Sequence, residues 1–356
     1  MFKIAIRPEW QIERGGKPLL PRVVELLVGI HETGTLAAAC GQMGLSYRYA
    51  WGLLREGHRA FGVPLVKSAR GRGATLTPLG EKLVWADRRI AARLSPLFDS
   101  LASELEVEVE RALTDAQGIL RMQASHGFAV ETLRAWFVRH DLPLDLKYRT
   151  SFEAFAALVG GECDLAGVHV PVGEFQAPVL KHYARWLKPD TQRLVLLATR
   201  RQGLMVAPGN PLRIQRLRDL VRDEVRFVNR QIGSGTRVLL DLMLQKEGIE
   251  PARVHGFDNS EFTHASVAAY VASGMADVGF GVETPASRFG LDFLPMATER
   301  YFFVCEAAWL ESKTMARVIA ELRSPAFRRA INALPGYDGT HCGQVLKVRD
   351  AFPGLA

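Results

Sequence analysis

Between residues 119 and 305, short apolar runs rich in β-branched residues alternate with stretches whose apolar residues recur at helical spacing. This alternation restricts the fold more than any other feature of the chain. Strand-like runs fall at 119–124, 144–148, 164–170, 194–199, 203–207, 225–228, 254–257, 278–282, 293–296 and 301–305. Helical stretches fall at 128–140, at 152–159 with Ser151 as the expected cap, and after Ser234 and His264. Strands alternating with helices predict a parallel sheet with helices on both faces, and ligands outside the carboxyl ends of the strands. The runs at 194–207 and 293–305 read as crossings between two α/β lobes, about 118–198 with 297–345 and about 200–296. Two lobes joined by a double crossing form a hinged clamp.

The first third of the chain follows different rules. Residues 2–6 and 10–13 alternate like strands around the turn residues Gly15 and Gly16, which predicts a small ribbon. Pro21 opens a helix with Val23, Val24, Leu26, Leu27 and Ile30 on one face. Thr33-Gly34-Thr35 ends that helix and caps the next, 36–40. A glycine-containing turn at 41–45 leads to Ser46, the expected cap of a third helix over 47–55. Two helices joined in this way place the second in the major groove of a duplex. Thr35, Ser46, Tyr47, Arg48, Tyr49, Trp51 and Arg55 are its candidate base and phosphate contacts. Residues 65–77 read as a strand, a basic glycine-rich loop and a returning strand, adding Lys67, Arg70 and Arg72. Within residues 45–75 six basic residues face one acid, Glu56, a local balance of +5 out of the chain's +7. Such a stripe matches a polyanion that releases counterions on binding.

Thr77-Pro78 starts a further helix, with Leu83, Ile90, Leu94, Leu97, Leu101 and Leu105 as its apolar stripe. Pro96 is expected to kink or interrupt it. The composition change at 114–118 marks a boundary. The predicted organisation is therefore 1–80 as a DNA-binding domain, 81–115 as a linker and dimerisation helix, and 118–345 as an effector domain.

Several function classes are disfavoured. Met1 to Trp10 has no continuous apolar core and does not read as a signal peptide. No run approaches the ~18 apolar residues that span a bilayer. Cys40, Cys163, Cys305 and Cys342 stand far apart, with no Cys-x-x-Cys or zinc-like spacing. The expectation is a cytoplasmic protein with free thiols, no metal and no cofactor. The glycine at 235 is not followed by the third glycine of a dinucleotide fingerprint, and neither a phosphate-binding P-loop nor a nucleophile elbow occurs. One Ser/His/acid combination, Ser125, His126 and Glu283, is open to convergence in the fold. A non-enzyme is expected.

In the second half, 229–237 follows a strand and opens a helix with small residues, where bare backbone N–H groups attract an anion. The candidate ligand residues are Ser125, His126, Ser151 and His169 from the first lobe. From the second they are Arg230, Ser234, Gly235, Thr236, Arg237 and His264. Hydroxyl and N–H donors with an arginine fork suit an oxyanion. For the serines and Thr236 the competing role is helix capping, and Arg237 has a competing partner in Asp241 one turn on.

Residues 33–39, 45–51, 61–66 and 76–80 resemble the winged helix-turn-helix of LysR-type and molybdate-responsive regulators over about residues 20–90. The Tyr47-Arg48-Tyr49-Ala50-Trp51 helix is more similar to the molybdate regulators, and the Leu76-Thr77-Pro78-Leu79-Gly80 ending is shared with LysR types. Residues 228–241 and 274–281 resemble the periplasmic-binding-protein-like ligand domain found fused to such modules, across most of 118–340. The resemblance implies a multidomain α+β and α/β protein with a winged helix-turn-helix, a linker helix and a two-lobed binding domain. It implies a regulator that binds double-stranded DNA as a homodimer or higher homo-oligomer and has no membrane partner. Molybdate or tungstate is the implied effector. The small oligonucleotide-binding-type effector fold of molybdate regulators is not what 118–340 reads as, so formate and a metabolite of molybdenum-cofactor chemistry stay open. The alternative class is a solute-binding or enzymatic α/β protein whose N-terminal module binds a protein.

Overall fold

In the computed structural model, which describes residues 3–14, 17–19, 21–69, 73–113 and 119–353, the apolar faces read from the sequence pack into two separate units. One consists of residues 7–94 and the other of described residues 3–6 and 95–353.

In the smaller unit, β1 (Ile12–Arg14) pairs antiparallel with β2 (Lys17–Leu19). The ribbon is shorter than expected, because residues 3–11 form no strand. Ile4 finds its backbone partner elsewhere, donating to Glu106 Oε1 at 2.8 Å inside the larger unit. The expected turn at Gly15-Gly16 lies outside the described residues. Helix α1 (Pro21–Thr33) buries Val23, Leu26, Leu27 and Ile30. Thr35 caps α2 (Leu36–Met43) by accepting from Ala38, and Ser46 caps α3 (Tyr47–Phe61) by accepting from Tyr49. Gly44, between them, adopts φ 64°, a left-handed conformation that glycine takes without strain. Ala50, Leu53, Leu54 and Gly57 turn α3 toward α1 and α2. Strands β3 (Val66–Ala69) and β4 (Gly73–Leu76) form the antiparallel wing. Its tip, with Arg70 and Arg72, lies outside the described residues.

Helix α4 (Pro78–Leu113) starts where Thr77 Oγ1 accepts from Gly80. A Cβ on Gly80 would stand 2.3 Å from the Leu65 carbonyl oxygen, so only glycine lets the helix approach the wing this closely. Contrary to one of the two expected outcomes, Pro96 does not interrupt α4. A proline removes one i→i−4 bond, and the many bonds on either side hold so long a helix together. The two units divide within α4, between Leu94 and Ser95, and no 81–115 unit separates from both. The predicted boundary at 114–118 lies outside the described residues.

The larger unit runs β5 (Leu120–Ala124), α5 (Phe128–Arg139), β6 (Leu144–Tyr148), α6 (Ser151–Val159), β7 (Leu165–Pro171), α7 (Gln176–Tyr183) and β8 (Gln192–Val206). It continues β9 (Phe227–Arg230), α8 (Gly235–Lys246), β10 (Ser260–Glu261), α9 (His264–Ala272), β11 (Val278–Val282), α10 (Glu283–Arg288) and β12 (Asp292–Glu306). It ends with α11 (Lys313–Arg323), α12 (Pro325–Asn332), β13 (Tyr337–Asp338) and β14 (Val345–Lys347) before a last helical turn. The strand order is β10-β9-β11-β8-β12-β7-β5-β6, with β13 and β14 pairing on β8.

The sheet is mixed rather than wholly parallel. β5 pairs parallel with β6 and β7, and β9 pairs parallel with β10 and β11. Between these two groups run β8 and β12, each 15 residues long and antiparallel to one another. What reads in the sequence as four short strands is thus two long ones that pass through both lobes. Apolar clusters lie on the helix-covered faces of each lobe. The run at 254–257 is not a strand, because Gly256 turns the chain at φ 87° and the edge strand forms later, at β10. Thr150, not Ser151, caps α6, completing a capping box with Glu153. All four cysteines are free and buried. Among the described residues no single helix is long and apolar enough to cross a membrane.

Candidate functional site

In the smaller unit, α3 turns its core side inward and leaves Tyr47, Arg48, Tyr49 and Arg55 exposed, with Trp51 half-buried. Tyr47 and Trp51 meet edge to face at 6.2 Å. Further along the helix, Gly52, Arg55, His58 and Arg59 line a depression of about 390 Å³. Lys67 is exposed on the wing. Thr35 and Ser46 use their side-chain oxygens as caps, which leaves each hydroxyl proton to donate. A helix with one apolar side and a basic, aromatic opposite side can lie against a polyanion.

In the larger unit the polar residues converge between the lobes. The middle of β8 carries Arg200 and Gln202, and the facing part of β12 carries Glu299 and Tyr301. Arg200 and Glu299 form an ion pair with both side chains at most 3% exposed. Arg200 Nη1 also donates to Tyr337 Oη at 3.4 Å. Gln202 Nε2 donates to Glu299 Oε1 at 2.8 Å and to Thr236 Oγ1 at 2.9 Å, tying the start of α8 to the long strands. None of these partners of Thr236 was read from the sequence. The polar triplet Arg200-Arg201-Gln202 inside an otherwise apolar run is the available sign, although in the sequence it resembles a break between strands.

Arg230 ends β9 and is 4% exposed. Its Nε and Nη1 have no hydrogen-bond partner among the described residues, and Glu299, already paired with Arg200, reaches it only through its field. Burial and then the charge of Arg200 bring its pKa down to about 9. Around it stand three buried histidines. His126 follows β5, His169 lies within β7 rather than at its end, and His264 is the first residue of α9. Burial, then Arg230, pushes His126 to about 3. His169 is lowered by burial, then by Arg200 and Arg230; His264 is lowered by burial, then by Arg230, Arg200, His169 and His126. At neutral pH all three rings are therefore uncharged. His169 stacks on Tyr301 at 4.0 Å, and its Nδ1 lies 3.3 Å from Ser125 Oγ. His169 Nε2 and His264 Nδ1 have no hydrogen-bond partner among the described residues. A Cβ on Gly281 would stand 2.8 Å from His264 Nδ1, so glycine makes room for that ring.

The small residues opening α8 bring the lobes together. A Cβ on Gly235 would stand 3.5 Å from the His169 Cβ and 3.8 Å from the Tyr183 hydroxyl, which faces Ser151. Ser234 Oγ caps α8 by accepting from Arg237. Ser125, His126, Ser151, His169, Arg230, Ser234, Gly235, Thr236 and His264 thus belong to one neighbourhood. Arg237 does not contribute its guanidinium. That group pairs with Asp241 at 2.9 Å and covers the Phe257 ring at 4.1 Å, because one helical turn places the acid within reach. The Ser125, His126 and Glu283 combination is divided: Ser125 meets His169, and Glu283 pairs with Arg201 at 2.6 Å.

Counting charges, Arg200 is matched by Glu299, the histidines are neutral and Arg230 is left over. Around Arg230 lie several uncommitted donors and the first N–H groups of α8, with Glu131 and Asp99 on the far side of the set, next to His126 Nε2. Free guanidinium nitrogens and helix-start N–H groups are chemically suited to an anion. Among the described residues no group of three His, Cys, Asp or Glu is placed to hold a metal ion.

A family model described as the PBP superfamily domain matches residues 131–323, more than half of the chain. The chain belongs to the PBP superfamily. The superfamily match contains His169, Arg200, Arg230, Ser234, Thr236, His264 and Glu299; Ser125 and His126 lie just ahead of it. Among curated proteins the chain is similar to the uncharacterised protein YvgK of Bacillus subtilis, 33% identical over 204 residues, covering 56% of this chain and 64% of that protein. It is also similar to the molybdenum-pterin-binding protein MopB of Rhodobacter capsulatus, 33% identical over 134 residues, covering 36% of this chain and 48% of that protein. The chain therefore spans less than two thirds of the length of either relative. Among solved structures it is similar to CbnR, a LysR family transcriptional regulator, at 16% identity and a TM-score of 0.39, covering 85% of this chain and 99% of that one.

Proposed function

We propose that this PBP superfamily protein is a ligand-responsive transcriptional regulator that binds double-stranded DNA through α3 and the wing. Its larger unit takes a small oxyanion between the lobes. The observation that carries the reading is Arg230, a buried guanidinium without a counter-ion, beside three neutral histidines and the start of α8. Burying an unpaired charge costs several kcal/mol, and an anionic ligand is what relieves that cost. Binding rather than catalysis is favoured because no carboxylate orients His169, the one histidine facing a serine hydroxyl. A molybdate- or tungstate-type oxyanion is the first candidate, supported by the name of the relative MopB; formate and a molybdenum-cofactor metabolite are the alternatives. The DNA assignment is supported by the exposed basic face of α3, and a homodimer by the exposed stripe Leu97, Leu101 and Leu105 on α4. Such a protein acts in the cytoplasm, where its DNA target is.

The test is a thermal-shift panel of molybdate, tungstate, sulfate, phosphate and formate in chloride buffer. An oxyanion at about 100 times its Kd adds about 2.7 kcal/mol to wild-type stability. Arg230→Met removes that gain. If no anion raises the melting temperature, the anion-site reading is wrong. For DNA, duplex binding is measured against salt. Arg55→Ala or Lys67→Ala lowers the slope of log K against log salt by about 1 each, and unchanged slopes overturn the assignment.

A further inference from the structure

A second cavity in the larger unit has no part in that reading. Its volume is about 480 Å³, and its lining sets the acids Asp99 and Glu131 and the phenol of Tyr148 beside the cations Lys3, Arg134 and Arg139, with Ser95, Ala135 and Val138 completing it. Asp99 and Glu131 converge on the same imidazole: Glu131 Oε1 lies 3.0 Å and Asp99 Oδ2 3.9 Å from His126 Nε2. That ring is uncharged at neutral pH, and its nitrogen does not make a directed hydrogen bond to either acid. Among the described residues neither Asp99 nor Glu131 has an ion pair with a lysine or arginine. Asp99 accepts one hydrogen bond, from Ser95 Oγ at 3.1 Å.

Of the three cations that line the cavity, Arg134 is the one with an ion pair among the described residues. Arg134 gives Nη2 to both oxygens of Glu106 at 2.9 Å. Arg139 donates to the Ala135 carbonyl at 3.1 Å and lies over the Trp136 ring at 5.6 Å. Lys3 sits exposed at the rim. Arg134 and Arg288 act on the two acids only through their fields, and those fields do not cancel burial. Burial and then the neighbouring Asp99, against Arg288, leave Glu131 at about 7; burial raises Asp99, against Ser95 and Arg134. Tyr148 is 4% exposed, its hydroxyl faces both acids, and it has no hydrogen-bond partner among the described residues. Two acid groups and a buried phenol at one end, with Ala135 and Val138 along a side, form an acceptor-rich end and an aliphatic wall.

We propose that this cavity is a second ligand site, taking a small aliphatic ammonium ion. Its charged head lies between Asp99 and Glu131, and its carbon chain lies along Ala135 and Val138. An ammonium has three donors and no acceptor, which answers two carboxylates and a phenolic oxygen at once. Bringing a full positive charge to the pair also offsets the mutual repulsion of two neighbouring carboxylates.

The experiment is isothermal titration of the full chain with n-butylammonium chloride, using 1-butanol and sodium butyrate as matched neutral and anionic probes. The expected result is saturable binding of butylammonium at least ten-fold tighter than either control. Asp99→Asn and Glu131→Gln each weaken it at least ten-fold. Val138→Phe, which fills the cavity from its aliphatic wall and leaves both acids in place, also weakens it. Affinity rises between pH 6 and pH 8 as Glu131 ionises. Butylammonium that binds no more tightly than butanol overturns the proposal. So does binding that survives all three substitutions in variants whose thermal transitions remain cooperative. The two readings fail separately: Arg230→Met acts on the oxyanion and Val138→Phe on the ammonium ion, although His126 adjoins both sets of residues.

Discussion

Replacing Arg230 with methionine should make the ligand-free protein more stable while abolishing its response to anions. The side chain is 4% exposed, and burial with the repulsion of Arg200 brings its pKa from 12.5 to about 9. For a base whose folded-state pKa is depressed, the penalty is present in full below both values and disappears only as pH rises past the unfolded one. At pH 7 the guanidinium therefore works against folding, by on the order of 5 kcal/mol if the whole depression is converted. Attraction to Glu299 is lost in the variant, and methionine fills the space less completely, so the net gain expected is about 2 kcal/mol. For a unit of this size that corresponds to a rise of about 5 °C in melting temperature. The assay is differential scanning calorimetry of both proteins after exhaustive dialysis into chloride buffer, followed by titration of the best oxyanion. Arg230→Met melting below wild type in the absence of anions would refute the reasoning, because it would mean that the guanidinium is already compensated.

Four further outcomes are expected. His126, His169 and His264 have depressed folded-state pKa values, so their contribution is present above 6.5 and lost as pH falls; stability should drop below pH 6.5 by up to about 1.4 kcal/mol per pH unit per histidine, a slope that His264→Gln makes shallower in urea titrations. A bound oxyanion should reduce that acid loss, read as a smaller fall in melting temperature between pH 7 and pH 5.5. Gly80→Ala forces a Cβ against the Leu65 carbonyl at 2.3 Å and should cost the smaller unit about 1–3 kcal/mol, visible as an earlier thermal transition and weaker duplex binding; an unchanged transition would show that the helix start can shift. Leu101→Glu on the exposed side of α4 should lower the association constant of the homodimer at least ten-fold in sedimentation, and a variant that sediments like wild type removes that stripe from the interface.

The local code of the chain was legible wherever the cause is local. Thr35 and Ser46 cap α2 and α3 as their hydroxyls and spacing require, Pro21 opens α1, and Gly44 sits in the turn. The small residues at 233–236 open α8 for the same reason. Periodicity also located most of the alternating strands and helices, because a strand or helix with one apolar side carries that side in its sequence. It failed at 254–257, where Gly256 takes a turn, and at β8 and β12, where buried polar residues made one long strand resemble two.

What the sequence by itself determined is therefore the menu of elements and the donor types available to an anion. Which donors are free was decided by tertiary structure alone. Arg230 and Arg237 are seven residues apart and chemically identical, yet one is buried with no ion pair among the described residues and the other is matched by Asp241 on the next turn. Arg200 and Glu299 are 99 positions apart and meet because two strands run antiparallel. Charge is carried by residues, but its compensation depends on distance and on the exclusion of water. Both are set only when the chain closes on itself.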